Sequence, residues 1–307
     1  MEKQTTLVMS DTDFYDQIAK DSKQALIQMI SEAGHGKTSS LRTIIAYCRE
    51  KHPDIVFKIF DVSQAWFHCA PVKYRQYVTM EKIEKSHIAN LEDCVYEMGA
   101  LPNEVKRAFV GTIVGMDYEK RYNIKLKITQ GTEEERQKAQ EEWDTIPTLV
   151  FIYEESNIYF GSYSFRKNDA YTPIFQNFVS VGRNYKMRGF LVATAEQGEI
   201  APSLRRRSRR IFGRLVSEGD LSRIRRKDKE LAAYLKEIPR YHFIYYTGEH
   251  TYGPVRVPDS VKHVPEDYVI EVQPQVNPVT QFDAGWWIKF GVGFGAGLLF
   301  LRFFHII

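Results

Sequence analysis

Ser31-Glu32-Ala33-Gly34-His35-Gly36-Lys37-Thr38 lies between an apolar run at 25–30 and a stretch that opens with Ser39-Ser40-Leu41. That order predicts a buried strand, a tight glycine turn and a helix with Leu41, Ile44, Ile45 and Cys48 on its inner face. Gly34 and Gly36 let the backbone turn sharply, so successive N–H groups can face an anion with no Cβ in the way. The helix N-terminus adds partial positive charge. This is phosphate-binding chemistry. Gly34, His35, Gly36, Lys37, Thr38 and Ser39 form the cradle; Lys37 would reach the β- and γ-phosphates of ATP, and the Thr38 hydroxyl would bind Mg²⁺. Of the full Walker A pattern only the Gly-x-Gly-Lys-Thr half is intact, because Ser31 stands where a glycine is usual.

The second landmark is Ile146-Pro147-Thr148-Leu149-Val150-Phe151-Ile152-Tyr153-Glu154-Glu155. A continuous apolar run of this length predicts a central parallel strand buried on both faces. It delivers two carboxylates at its C-terminal end, where such sheets bind ligands. In a Walker B arrangement Glu154 would serve Mg²⁺ and Glu155 would polarise the attacking water, although the usual first acid is Asp. Asp61 ends another predicted strand, 54–61, and reads best as an N-cap for the turn that follows.

At 307 residues the chain has room for about two domains, or for one α/β domain with appendages. With 43% hydrophobic and 26% charged residues it can build a sizeable core. Cys48, Cys69 and Cys94 are scattered and lack Cys-x-x-Cys spacing, which suggests a reducing compartment and gives no zinc site. The N-terminus has no secretory pattern. Net charge is only +3, but Arg205, Arg206, Arg207, Arg209 and Arg210 open a dense basic run that continues to Lys229. Such a run suits sequence-blind binding of double-stranded DNA; a subunit interface, an anionic membrane and a solvated helix face are the competing readings.

Downstream of the acidic strand come a helix at 170–186, the turn Gly182-Arg183-Asn184-Tyr185-Lys186-Met187-Arg188, and a strand ending in Ala193-Thr194. Glu199-Ile200-Ala201-Pro202-Ser203-Leu204 and a short strand at 210–215 follow. This succession resembles the FtsK/HerA group of P-loop motor ATPases, over roughly residues 24–257. The resemblance implies a P-loop NTPase with a mainly parallel sheet flanked by helices, a homo-oligomeric ring, and ATP hydrolysis coupled to DNA translocation in genome packaging or DNA transfer. It also implies a glutamine near the γ-phosphate. Here the strand ends in Thr194-Ala195, so either Gln197 or Thr194 alone would take that place. Arg183 matches an arginine that would reach a neighbouring subunit's nucleotide as a finger.

Residues 258–281 carry four prolines and few core-forming runs, so 1–257 is expected to be the ATPase domain and 258–283 a linker. The tail, 284–307, reads as a C-terminal transmembrane helix. Its uncharged centre is short for a bilayer, but Lys289 and Arg302 could snorkel, Trp286 and Trp287 suit an interface, and alternate glycines at 291–297 suit helix contact. The expectation is thus a single-pass protein of a host or virion membrane, with the ATPase domain cytoplasmic. Two alternatives are a zonula occludens toxin-like phage assembly ATPase and a nucleotide-dependent switch that is no motor.

Overall fold

The computed structural model describes residues 6–257, apart from 9, 67–71, 86, 196–198, 206–207 and 227. Its elements run β1 (Thr6–Val8), α1 (Asp11–Ser22), β2 (Leu26–Ile30), α2 (Lys37–Lys51), β3 (Ile55–Asp61), β4 (Tyr74–Tyr77), α3 (Met80–Glu84), β5 (Cys94–Glu97), α4 (Asn103–Gln130) and α5 (Glu133–Thr145). The second half adds β6 (Thr148–Tyr153), α6 (Asn157–Phe160), α7 (Thr172–Val181), β7 (Met187–Ala193), α8 (Pro202–Arg205), β8 (Ser208–Phe212), α9 (Glu218–Arg225), α10 (Lys229–Glu237), β9 (His242–Tyr246) and β10 (His250–Arg256). Ten strands form one sheet in the order β1-β10-β9-β8-β2-β7-β6-β3-β5-β4. Only the β8–β9 and β9–β10 pairings are antiparallel.

The central strands are apolar on both faces because helices cover both. Val150 and Ile152 of β6 join a cluster with Phe14 and Ile18 of α1 and Leu41 and Ile44 of α2. Leu149, Phe151 and Tyr153, one residue out of phase, pack with Phe109 of α4 and Phe178 of α7. The period-two alternation thus assigns residues to faces, and both faces are buried. Lys58 is the exception inside β3. Its ammonium is fully buried and donates to Asp117 Oδ2 at 2.6 Å and Asn90 Oδ1 at 2.5 Å.

Thr132 caps α5 through a reciprocal capping box with Glu135, as its position before three glutamates predicts. The single helix expected over 217–238 is instead two, because Asp228 stops the run and caps α10 by accepting from Leu231 N at 2.8 Å. The helix expected at 170–186 ends at Val181 and continues as a 3-10 turn, Gly182–Tyr185.

The expected transmembrane helix, and with it the single-pass membrane localisation, is corrected. No helix among the described residues is long and apolar enough to cross a membrane. The longest, α4, has 28 residues but carries Arg107, Asp117 and Arg121 among its buried side chains. Residues 284–307, on which the expectation fell, lie outside the described part, and the fold that the described residues show is the α/β unit.

Candidate functional site

The glycine loop stands at the C-terminal end of β2, and α2 starts directly from it. Gly34 and Gly36 have φ of +76° and +86°, which L side chains rarely adopt, and Gly36 is the N-cap of α2. Space also demands glycine at 36. A Cβ there would run into the ring of Tyr241, which lies over the loop just before β9. Ser31 fits for a matching reason: its side chain fills the space next to Gly213, where a Cβ would lie 2.7 Å from Ser31 Cβ. The departure from the usual glycine at 31 is therefore accommodated by a glycine elsewhere.

Lys37 turns back onto its own loop, donating to Ser31 O at 2.6 Å and Glu32 O at 3.1 Å. Burial lowers its pKa, opposed by the charges of Glu199, Glu154 and Glu32. The Thr38 hydroxyl donates to Glu154 Oε1 at 3.2 Å. Ser39 Oγ accepts from Arg42 at 3.2 Å, and the His35 imidazole lies 4.0 Å from Glu32, its pKa lowered chiefly by burial.

Between β2 and β6 lies β7, so the two strands run two spacings apart, about 9.5 Å, and Thr38 reaches across from the loop to Glu154. Glu154, at the end of β6, is buried and accepts from Val62 N at 3.1 Å, Ser63 N at 3.2 Å and Ser63 Oγ at 2.8 Å. Burial, then the neighbouring Asp61 carboxyl, pushes its pKa up to about 7. Asp61 itself accepts from Ser63 N at 3.1 Å and Trp66 N at 3.0 Å. It does cap the turn, as expected, but it also brings a second acid to Glu154. Among the described residues no group of three or more His, Cys, Asp or Glu could hold a metal ion. The hard oxygens of Thr38 and Glu154 nonetheless suit Mg²⁺, which takes one or two protein oxygens and completes its shell from phosphates and water.

Glu155 is placed differently. Its φ of +49° re-aims the chain, so the two successive carboxylates leave the strand in different directions. Glu155 is exposed, and its charge is felt at the buried Tyr159 phenol, whose pKa burial already raises. At the end of β7, Thr194 N donates to Glu199 Oε2 at 2.7 Å. Glu199 is also the foremost of the carboxylates acting on Lys37. Its residue type and the short reach from Thr194 were visible in the sequence, yet only the fold puts it beside the loop. Gln197 lies outside the described residues. Arg183 is exposed in the 3-10 turn before β7, at the opposite end of that strand from the loop. Seven residues of strand, about 23 Å, separate the two ends, so this chain's own phosphate site does not meet Arg183.

The genome packaging NTPase B204 of Sulfolobus turreted icosahedral virus 2, solved with ATP-gammaS, superposes on this chain with a TM-score of 0.50. The match covers 76% of this chain and 98% of B204 at 13% identity. The chain has the B204 fold. This meets, at the level of the fold, the resemblance to FtsK/HerA-type ATPases that the motifs carry. The pCW3 conjugation coupling protein TcpA, with ATPgS, matches at TM-score 0.47 and 11% identity over 76% of this chain and 60% of its own. EssC of Geobacillus thermodenitrificans (ATPases 2 and 3) matches at 0.48 and 14% over 78% and 41%. Both scores are too low to carry an argument. No protein-family model matches the chain, and no curated protein does.

Proposed function

We propose that the chain, through an ATPase unit spanning 1–257, hydrolyses ATP and couples the reaction to DNA translocation. The observation that carries this is the reach of Thr38 to Glu154 across the intervening strand β7, beside a glycine loop with a lysine. The loop amides from Gly34 to Ser39 and Lys37 would bind phosphates, with Lys37 leaving Ser31 O and Glu32 O for them. Thr38 and Glu154 would hold Mg²⁺, which lowers the charge on the phosphates when bound. Glu155 takes the proton of the water that attacks the γ-phosphorus as the bond to the ADP oxygen breaks, after a turn of its αL backbone brings it round. Arg183 would act in trans, on a neighbouring chain's nucleotide in a ring of copies.

Translocation of double-stranded DNA is the proposed output because the B204 fold is that of a genome packaging NTPase and because of the basic run around 205–229. The test is ATP turnover by the full chain with and without duplex DNA, beside Lys37→Ala and Glu155→Gln. Stimulation by DNA, abolished by both substitutions, supports the reading; turnover indifferent to DNA removes translocation from it.

A further inference from the structure

Far from the glycine loop, a cavity of about 1120 Å³ opens where the parallel strands begin. Leu26 of β2, Met187 of β7 and Ser208 of β8 form its floor, each at or next to the first residue of its strand. Six arginines line it: Arg183, Arg188, Arg205, Arg209, Arg210 and Arg223. Asp228 is the one lining carboxylate among the described residues, and its oxygen already accepts from Leu231 N.

Some of these cations are neutralised within the wall. Arg223 meets Asp220 at 3.0 Å, and Arg209 comes within 3.8 Å of Asp21. Arg188 and Arg183 are different. Arg188 donates to Met187 O at 2.8 Å, its Nε is buried without a partner, and no carboxylate among the described residues pairs with it. Burial, then the neighbouring Arg183, lowers its pKa to about 10. Arg183, exposed at the rim, makes no hydrogen bond or ion pair with another described residue. Two adjacent guanidiniums held without a counter-charge lack an anion, and a guanidinium's fork of donors fits phosphate oxygens.

We propose that this cavity is a second anion site, separate from the glycine loop, that holds the phosphodiester backbone of nucleic acid. The choice of ligand rests on the DNA reading above; the site itself rests on the arginines. Four of the six, Arg205, Arg209, Arg210 and Arg223, come from the basic run, whereas Arg183 and Arg188 belong to another segment and only the fold brings them in. The phenylalanine rings in the wall, Phe178 and Phe212, are buried, so they offer no open face for a base to stack on.

The experiment is anisotropy of a labelled duplex with the full chain across a salt series, comparing Arg188→Gln, Arg183→Gln and the double variant. Each lost phosphate contact flattens the slope of log affinity against log salt by about 0.9, so the double variant should lose about 1.8. Lys37→Ala should bind the duplex as the native chain does. Arg188→Gln should melt no lower than the native chain without ligand, since it removes a poorly paired buried cation; this separates lost binding from lost folding. An unchanged slope in the double variant overturns the site, and if DNA still stimulates turnover of Arg188→Gln, which keeps the proposed finger Arg183, the motor reading survives. Inorganic tripolyphosphate that binds with the same arginine dependence and excludes the duplex makes the ligand a free polyphosphate, and overturns the strand assignment. A native chain that binds no duplex overturns both this inference and the translocase reading.

Discussion

Glu199 Oε2 lies 2.7 Å from the backbone nitrogen of Thr194, at the end of the strand that separates the glycine loop from Glu154. A carboxylate thereby occupies a donor at the end of β7 and faces Lys37, where the terminal phosphate of a nucleotide would want both.

An anion that competes with the substrate should weaken it. Glu199→Gln is expected to tighten an ATP analogue by about tenfold, roughly 1.4 kcal/mol, and to leave ADP nearly unchanged. Calorimetric titration with both nucleotides checks this; equal affinities in native and variant chains would remove Glu199 from the phosphate site.

The contact between Ser31 and Gly213 predicts an unusual rescue. Gly213→Ala should destabilise the chain by about 1–3 kcal/mol, because the new methyl meets Ser31 and Phe243. Adding Ser31→Gly, which restores the common loop glycine, should recover most of that loss. Urea denaturation of the single and double variants tests the coupling, and simple additivity would show the two positions to be independent.

Glu154 makes stability depend on pH in a defined direction. Its folded pKa is raised from 4.5 to about 7, so the folded chain holds a proton that the unfolded chain releases. The stability this contributes is present below about pH 4.5 and is lost as pH rises towards 7. Glu154→Gln should abolish that decline, on the order of 3 kcal/mol. Because Asp61 shares the site, the native curve belongs to the pair of acids. Affinity for Mg²⁺ with nucleotide should rise over the same interval, since the ion needs the carboxylate.

Lys58 should be costly to replace alone. Lys58→Met strands Asp117 as a buried anion and should cost about 3–5 kcal/mol, whereas Lys58→Met with Asp117→Leu should regain most of it. Thermal melts of both variants decide whether the pair or the lysine matters.

The local order of the chain was legible. The apolar runs at 25–30 and 146–153 became β2 and β6, and Leu41, Ile44, Ile45 and Cys48 face the core as their spacing predicts. Glycine and lysine spacing likewise located the loop, because that chemistry is written in consecutive residues. What sequence could not give was convergence across the sheet. Asp61 meets Glu154 only because β3 pairs with β6, and the charge of Glu199 acts on Lys37 only because β7 pairs with β2. Tyr241 and Gly213 carry no signal at all, since their importance is steric and their neighbours are distant in sequence. The division into α9 and α10 shows the same limit on a smaller scale, a single aspartate, Asp228, deciding between cap and interior.

The ring of Tyr241 against Gly36 has a partner contact from the second strand of the same hairpin, at the same open end. Val257 N donates to Tyr241 O at 2.7 Å, and Val257 O accepts from Ser40 Oγ at 2.9 Å, tying the helix that leaves the loop to residues translated more than two hundred codons later. A nascent chain could therefore pair its central strands on the ribosome and still lack a shaped loop. Nucleotide loading would wait until residue 257 had emerged, so that unfinished chains carry no ATP. A chain halted at 239 should keep parallel-sheet circular dichroism but bind no ATP analogue, and binding by that fragment would show the loop to be shaped without its late partners.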